Sequence, residues 1–307
     1  MQSIRTSVQV VDVGPEEGGR KLLSFLEARL GHLPPALLMR LVRTGQVRID
    51  GRRCKPFDRV LSGQKVRIPP VSVQQDEGVV KPLPGLVRVH EDADMVVVDK
   101  PAGLPVHPGT GWRDSVYDRL KRMFAGQVFV PVPVHRLDRD TSGLLLCAKT
   151  HDFLRAMHAA WGAVTKAYLC WVEGRWESRG WQTMASDLGK AGVPGRERMV
   201  PGQGKRAVTH VHTLHAGRKM SLLLVVLGTG RTHQIRVHLA ERGHPIVGDP
   251  KYGHGQGLLL HALLLAWSGH RFFLLPPWLG DFQPEAGLAQ AVSDILAIAP
   301  AKERGAL

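Results

Sequence analysis

The stretch that most limits how this chain can fold is SVQQDEGVVKPLPG, residues 72–85. It has no apolar period, and Pro82, Pro84 and Gly85 close it. Such punctuation marks a connection rather than an element. It divides 307 residues into a short leading segment and a long trailing one, in line with about two domains for this length. We read residues 17–75 as one domain, 76–85 as the linker and 86–300 as the second domain.

The leading segment has its own character. Residues 1–75 hold 13 lysines and arginines against 6 acidic residues, a net +7 of the +14 carried by the whole chain. KLLSFLEARLG places Leu22, Leu23, Leu26 and Leu30 on a helical stripe. Pro35 suits the start of a second helix, ALLMRLVRTG, with Gly45 as its C-cap. QVRIDGRR then alternates Val47 and Ile49 against Arg48, and Asp50-Gly51 is a hairpin signal. KVRIPP reads as a closing strand. This order puts Arg40 and Arg43 near Arg48, Arg52, Arg53 and Lys55. The pattern resembles the S4 RNA-binding domain, in which a helix pair and a β-turn present a basic face to structured RNA.

The trailing segment mixes strands and helices. LVRVHEDADMVVVDKPAG holds two short strands around an acidic turn. RDSVYDRLKRMFAG sets Val116, Leu120, Met123 and Phe124 on one helical face, and HDFLRAMHAAW is a further helix. KAYLCWVEG, AVTHVHTLH and MSLLLVVLGTG read as strands, RTHQIRVHLAERG as a helix stopping at Gly243, and the residues after about 285 as helical. No strict βαβ repeat appears, so the class is α+β.

VHRLDRDTSGLLLCAKT, residues 134–150, carries Asp138 and Asp140 among His135, Arg136 and Arg139, just before the apolar run Leu144 to Cys147. A carboxylate among guanidinium groups has its ionised form favoured, and an ionised, positioned carboxylate serves as nucleophile or base. In an extended backbone Asp140 shares a side with Asp138, which raises a glycosidase-like pair. Basic neighbours oppose keeping one of the two protonated. On composition alone, a surface Arg–Asp cluster is the favoured reading.

HRLDRDTSG, His135 to Gly143, resembles the active-site motif of RluA-type pseudouridine synthases. DKPAGLPVHPG matches that family's NKPxG segment, with Asp99 where Asn is commoner. TKAYLCWVEG matches its KxYxAxVxG strand, with Cys170 in place of alanine. TGRTHQIRVHLAERGHPIVGDPKYG matches nearly throughout, and LLLHALLL around His261 fits the later LHA segment. Order and spacing agree from about residue 87 to 280. The leading S4-like segment narrows the resemblance to the C-type large-subunit enzymes, with the D type as nearest rival. The resemblance implies a mixed, largely antiparallel sheet and isomerisation of uridine to its C-glycoside in ribosomal RNA, without cofactor or metal. It implies Asp138 as the catalytic aspartate, acting either at C1′ or on the C2′ proton. Arg236 corresponds to the arginine that pairs with it, Ile235 to the residue packing on the target base, and Tyr168 to the tyrosine that stacks on uracil and helps remove the C5 proton. Arg136 corresponds to the arginine that enters the RNA stack when the nucleotide is extruded. Arg40, Arg43, Arg48 and Arg52 are the RNA-binding candidates of the leading segment.

A non-catalytic RNA-binding assembly factor and a glycoside hydrolase are the competing readings. Retention of Asp138, Tyr168 and Arg236 together argues against the first, and the strong positive charge against the second. Other features suggest less. His210, His212 and His215 in THVHTLH read as solvated or RNA-facing rather than metal-ligating. His233 and His238 form a poor chelating pair. GTGR lacks a Walker lysine. Three dispersed cysteines exclude a full disulfide framework. With no apolar run near the roughly 18 residues of a membrane span and no apolar leader, we expect a cytoplasmic monomer that binds ribosomal RNA, with no DNA or membrane partner.

Overall fold

The computed structural model describes residues 3–5, 7–30, 33, 35–74, 84–108, 114–127, 129–193, 197–202 and 204–300. Residues 76–83 of the expected linker, and Gly109 of DKPAGLPVHPG, lie outside the described residues. The chain divides into two compact units, Met1–Lys81 and Pro82–Leu307. No helix among the described residues is long and apolar enough to cross a membrane.

The first unit runs β1 (Ser3–Arg5), β2 (Gln9–Asp12), α1 (Leu22–Arg29), α2 (Pro35–Arg43), β3 (Arg48–Ile49), β4 (Arg52–Arg53), β5 (Lys65–Ile68) and β6 (Ser72–Gln74). The apolar spacing in α1 buries Leu22, Phe25 and Leu26, and that in α2 buries Leu38, Leu41 and Val42. Both pack on Val47, Val60, Val66 and Ile68. Gly45 ends α2 at φ +72, its N–H donating to Val42 O. Asp50 and Gly51 both take positive φ, as a two-residue hairpin turn of the primed kind requires. The Asp50 carboxylate accepts from Lys65 N and Gln64 Nε2, which anchors the turn. Sheet order is β2-β5-β3-β4, and β1 pairs with β6. β1 and β2 precede residue 17, where sequence analysis placed no element.

The second unit runs β7 (Val87–Glu91), β8 (Met95–Lys100), α3 (Val116–Met123), β9 (Val132–Pro133), β10 (Ser142–Ala148), α4 (His151–Ala160), β11 (Thr165–Glu173), β12 (Trp181–Ala191), β13 (Arg198–Pro201), β14 (Lys205–Ala216), β15 (Met220–Leu227), α5 (Gln234–Glu241), β16 (Leu260–Trp267), β17 (His270–Phe273) and α6 (Leu288–Ala297). One sheet has the order β13-β12-β14-β15-β11-β16-β10-β8-β7, with β9 and β17 attached to β10 and β16. Its pairings among the described residues are antiparallel except β10 with β16.

Every residue of β10 is buried, which explains its unbroken apolar run: both faces are covered. Leu145 and Cys147 pack with Val116 and Leu120 of α3 and Leu239 of α5. Leu144, Leu146 and Ala148 pack on the other face with Met157 of α4. Each such leucine contributes roughly 1.5–3 kcal/mol by leaving water. Gly143 lies at φ +104, and a Cβ there would collide with the Ala262 backbone of β16. Beside it, the Ser142 hydroxyl lies 2.9 Å from His261 Nδ1, and His261 Nε2 donates to Leu274 O. The TSG and LHA segments are thus two sides of one crossing.

Sequence analysis assigned no strand to β12, β13, β16 or β17. β12 mixes Trp181, Ser186, Asp187 and Gly189 and is only intermittently buried, so its pairing with β14 outweighs a weak local pattern. The histidines of β14 also differ from expectation. His210 is buried, its Nδ1 2.8 Å from Thr183 Oγ1, and His212 is half-buried against Trp181. Only His215 is exposed. A register shift between Thr213 and His215 breaks the alternation.

Candidate active site

The loop before β10 is fixed at both ends. Leu146 N–H donates to His135 Nε2 at 3.1 Å, and the His135 ring stacks on Trp161. Burial, helped by nearby Lys166, pushes His135 down to about 3, so it is a neutral acceptor. Lys100, fully buried at the end of β8, donates to the carbonyls of Pro101, Leu104 and Arg139, each at 2.8 Å. Burial lowers its pKa to about 7 against the opposing pull of Asp140, Asp138 and Asp99. The ammonium ties the DKPAG turn to the loop that carries Asp138.

Within that loop Thr141 N–H donates to Asp138 O, closing a turn over Arg139 and Asp140. The backbone is therefore not extended there, and Asp140 does not share a side with Asp138. Arg139 grips Asp140 through both oxygens, at 2.8 and 2.9 Å. The cation facing Asp138 comes from far along the chain: Arg236 Nη1 lies 3.3 Å from its Oδ2. His233 Nε2 lies 3.8 Å from the same oxygen. Asp138 Oδ1 has no hydrogen-bond partner among the described residues.

Arg236 stands on α5, which is anchored by polar groups. Gln234 donates to Val208 O and Thr209 Oγ1 and accepts from Thr229 Oγ1 and Arg231 N. His238 reaches Thr209 Oγ1 and Ser186 Oγ. The Arg236 guanidinium, 4% exposed, sets its two-pronged grip on Asp249, at 2.7 and 2.8 Å, and gives Asp138 a single longer bond. Asp249 also accepts from Lys251 N and Tyr252 N. Burial alone would raise the Asp249 pKa, but the bonds and charge of Arg236 outweigh it and hold it below the usual carboxylate range. Pairing between Arg236 and Asp138 is present, though the fork itself lies elsewhere.

Asp138, Arg136, Tyr168, His233, Ile235 and Arg236 line one cleft of about 270 Å³. Asp140 does not line it. Tyr168 is on β11, where the pairing with β16 shifts register between Ala167 and Tyr168. Such an irregularity re-aims a side chain. Burial, and then the Asp138 charge, raise the Tyr168 pKa, so its hydroxyl is a neutral donor at pH 7. Ile235, 5% exposed, forms the apolar wall. Arg136 is exposed at the rim, and its guanidinium makes no hydrogen bond or ion pair among the described residues.

In the first unit Arg40, Arg43, Arg48, Arg52, Arg53 and Lys55 are all exposed. Across β4, β3 and β5, Arg53, Arg48 and Arg67 are direct neighbours. Among the described residues their guanidinium groups bond only backbone carbonyls, of Thr44, Gly51 and Gln46. Like charges directly opposite one another destabilise a sheet, so this row is a local cost to the fold.

A family model described as RNA pseudouridylate synthase matches residues 94–241. "Ribosomal large subunit pseudouridine synthase C" of Vibrio parahaemolyticus is 36% identical over 263 residues, covering 82% of each chain. The protein of that name from Yersinia pestis is 35% identical over 290 residues, 89% of this chain and 90% of its own. The chain belongs to the RNA pseudouridylate synthase family. Among solved structures, Human RNA Pseudouridylate Synthase Domain Containing 1 superposes with a TM-score of 0.58 at 25% identity, covering 73% of this synthase and all of the human chain.

Residue types and spacing do not announce three groups of this synthase's site: His233, which lines the cleft, and the buried Asp249 and Lys100. Asp249 sits in a Gly-Asp-Pro sequence that reads as a turn. Lys100 follows a strand and reads as an exposed cation, and only its full burial shows the role. His233 was weighed only as a metal ligand. The signal for it was the crowding of polar residues in THQIR, too many for a helix start that merely caps.

Proposed function

We propose that this synthase isomerises uridines of large-subunit ribosomal RNA to pseudouridine, with Asp138 as the reacting carboxylate. The N1–C1′ bond breaks, the uracil turns, and C5 bonds to C1′. C5 loses a proton and N1 gains one, so no electrons are exchanged with a cofactor. The observation that carries this reading is the state of Asp138: it lines the cleft, one oxygen is held by Arg236, and the other has no protein partner among the described residues. Both attack on C1′ and removal of the C2′ proton need that oxygen.

The other residues take roles that their surroundings support. Tyr168 and Ile235 form the surfaces between which a uracil ring fits, and the Tyr168 hydroxyl can relay the C5 proton, its oxygen taking that proton as its own hydrogen passes to water. Arg236 fixes Asp138 and neutralises charge beside it. Extracting a nucleotide from structured RNA costs a few kcal/mol of stacking, and Arg136, unpaired and at the rim, is suited to fill the gap. The exposed cations Arg40, Arg43, Arg48 and Arg52 of the S4-like unit supply RNA affinity. Ribosomal RNA as substrate fits a cytoplasmic site of action. A glycosidase pairing of Asp138 with Asp140 is disfavoured, because Arg139 engages Asp140 away from the cleft.

Pseudouridine mapping in ribosomal RNA from cells with and without the protein tests the substrate. Single-turnover assays of Asp138→Asn and Asp140→Asn test the site. We expect Asp138→Asn to lose at least about 10³-fold in rate, at the upper part of what a positioned acid–base group supplies, with RNA binding retained. Asp140→Asn should stay active. Equal losses in the two variants would remove Asp138 from its role.

A further inference from the structure

His233 lines the cleft, yet neither the chemistry at Asp138 nor the stacking surfaces use it. Its backbone is unusual. At φ +54 and ψ +19 it occupies the left-handed region immediately before α5, a conformation that non-glycine residues adopt sparingly and often at functional sites. Its ring is held from one side: Nδ1 lies 2.9 Å from the Tyr252 hydroxyl. That hydroxyl also accepts the Met199 N–H at 3.0 Å. A phenol has one hydrogen to give, and with the Met199 N–H already on its oxygen we assign that hydrogen to His233 Nδ1. Burial, opposed by Asp138 but aided by Arg236 and Lys251, lowers the His233 pKa and keeps the ring neutral. A neutral imidazole that accepts at Nδ1 carries its hydrogen on Nε2, the nitrogen facing Asp138.

We propose that His233 is a positioning residue for Asp138: Tyr252 fixes its tautomer, and its Nε2–H closes the present 3.8 Å gap to Asp138 Oδ2 when RNA fills the cleft. Arg236 and His233 then share one carboxylate oxygen, and Oδ1 is left to react. The proposal rests on the assignment of Asp138 above. Its internal support is that one turn organises both donors. Asp249 grips Arg236 and accepts the Tyr252 N–H, while Tyr252 orients His233. A shift of that turn would move both groups facing Asp138 together.

The test separates the two nitrogens. An asparagine amide sits where Nδ1 sits and tolerates the left-handed backbone; a glutamine amide reaches where Nε2 sits. On a ribosomal RNA fragment, His233→Asn should lose roughly 10–100-fold in single-turnover rate, the worth of a hydrogen bond to a charged group, with RNA affinity unchanged. His233→Gln should recover most of that rate. Tyr252→Phe keeps the His233 backbone and should lower the rate by a smaller factor. NMR of protein carrying nitrogen-labelled histidine should show Nδ1 unprotonated in the parent and a mixed tautomer in Tyr252→Phe. The reverse order, with Asn active and Gln inactive, would make His233 only an anchor for Tyr252. Equal losses in Asn and Gln, or a folded Tyr252→Phe with unchanged rate and tautomer, would also overturn the proposal. Absence of product from the parent chain would instead overturn the enzymatic reading, and the tautomer measurement is independent of it.

Discussion

The two units use arginine in opposite ways. In the first, Arg48, Arg53 and Arg67 stand exposed, side by side, and their guanidinium groups donate to carbonyl oxygens and form no ion pair among the described residues. In the second, Arg236 is buried and held by two carboxylates, one of them fully buried. The first arrangement keeps charge in water, where it acts over a Debye length and yields to salt. The second places charge where salt has little access and geometry is fixed, because a buried ion pair is held only if its hydrogen bonds are complete. Attraction to a polyanion needs the former and bond-breaking at one sugar carbon needs the latter.

The largest effect is expected from loosening the buried arrangement. Asp249→Asn removes the charge that balances Arg236. Breaking a buried pair by removing one partner costs about 3–5 kcal/mol. All seven tryptophans lie beyond residue 111, so urea unfolding followed by tryptophan fluorescence reports the second unit, and its midpoint should fall accordingly. The pH dependence has a definite sign. Because the folded Asp249 pKa is depressed, its stabilisation is complete above the ordinary value of 3.8 and lost as pH falls through the lower folded value. The parent should therefore begin to approach Asp249→Asn in stability below about pH 3.8 and meet it only below the lower folded value. An unchanged urea midpoint would mean Arg236 is solvated, and the contrast between the units would disappear.

The sequence made the two units unequally legible. In the first, local rules suffice: the Leu22–Leu26 stripe, Gly45 and Asp50-Gly51 each act within a few residues, and helices and hairpin fall where these signals lie. β1 and β2 escape because they pair with strands more than 50 residues away, and three or four residues hold little period. In the second unit the helices and the strands β7, β8, β10, β11, β14 and β15 follow their patterns, whereas β12 and the central β16 do not, and the cleft is assembled by long-range pairs. The basic residue next to Asp138 in sequence, Arg139, turns to Asp140, and the one that faces it is 98 residues distant. Nothing in residue spacing gives that contact; family resemblance supplied it. Resemblance did not reach the Lys100 ammonium or the Tyr252–His233 bond, which depend on burial and on where a hydroxyl hydrogen points.

A middling effect is expected on RNA binding. Substituting Arg48, Arg53 and Arg67 together by glutamine keeps the strands and removes three cations. Each phosphate contact contributes roughly 0.7 to the slope of log affinity against log salt on single strands, so the slope should flatten by up to about 2 units. The loss should fall on KM rather than on kcat, since the buried Arg236 site does not share the row's exposure. Equal salt slopes for parent and variant would show that the row does not touch phosphate.

The smallest effect has the opposite sign for stability, which makes it the sharpest test of the contrast. If the row were a structural device, removing its central member would weaken the sheet. If it is charge held ready for an anion, Arg48 is opposed by Arg53 on one side and Arg67 on the other, and none of the three forms an ion pair among the described residues. Cross-strand like charges cost about 0.2–1 kcal/mol. Arg48→Gln should therefore stabilise the first unit by that order while weakening RNA binding. Fluorescence cannot see this, because no tryptophan lies in the first 111 residues. Hydrogen exchange of the backbone amides in Arg48–Ile49 and Lys65–Ile68 reads the local opening free energy directly. Slower exchange in Arg48→Gln at low salt, with the difference shrinking as salt screens the pairs, is the expected result. Faster exchange at every salt concentration would mean that Arg48 contributes to the sheet through its stem and its bond to Gly51 O, and that the row is part of the fold.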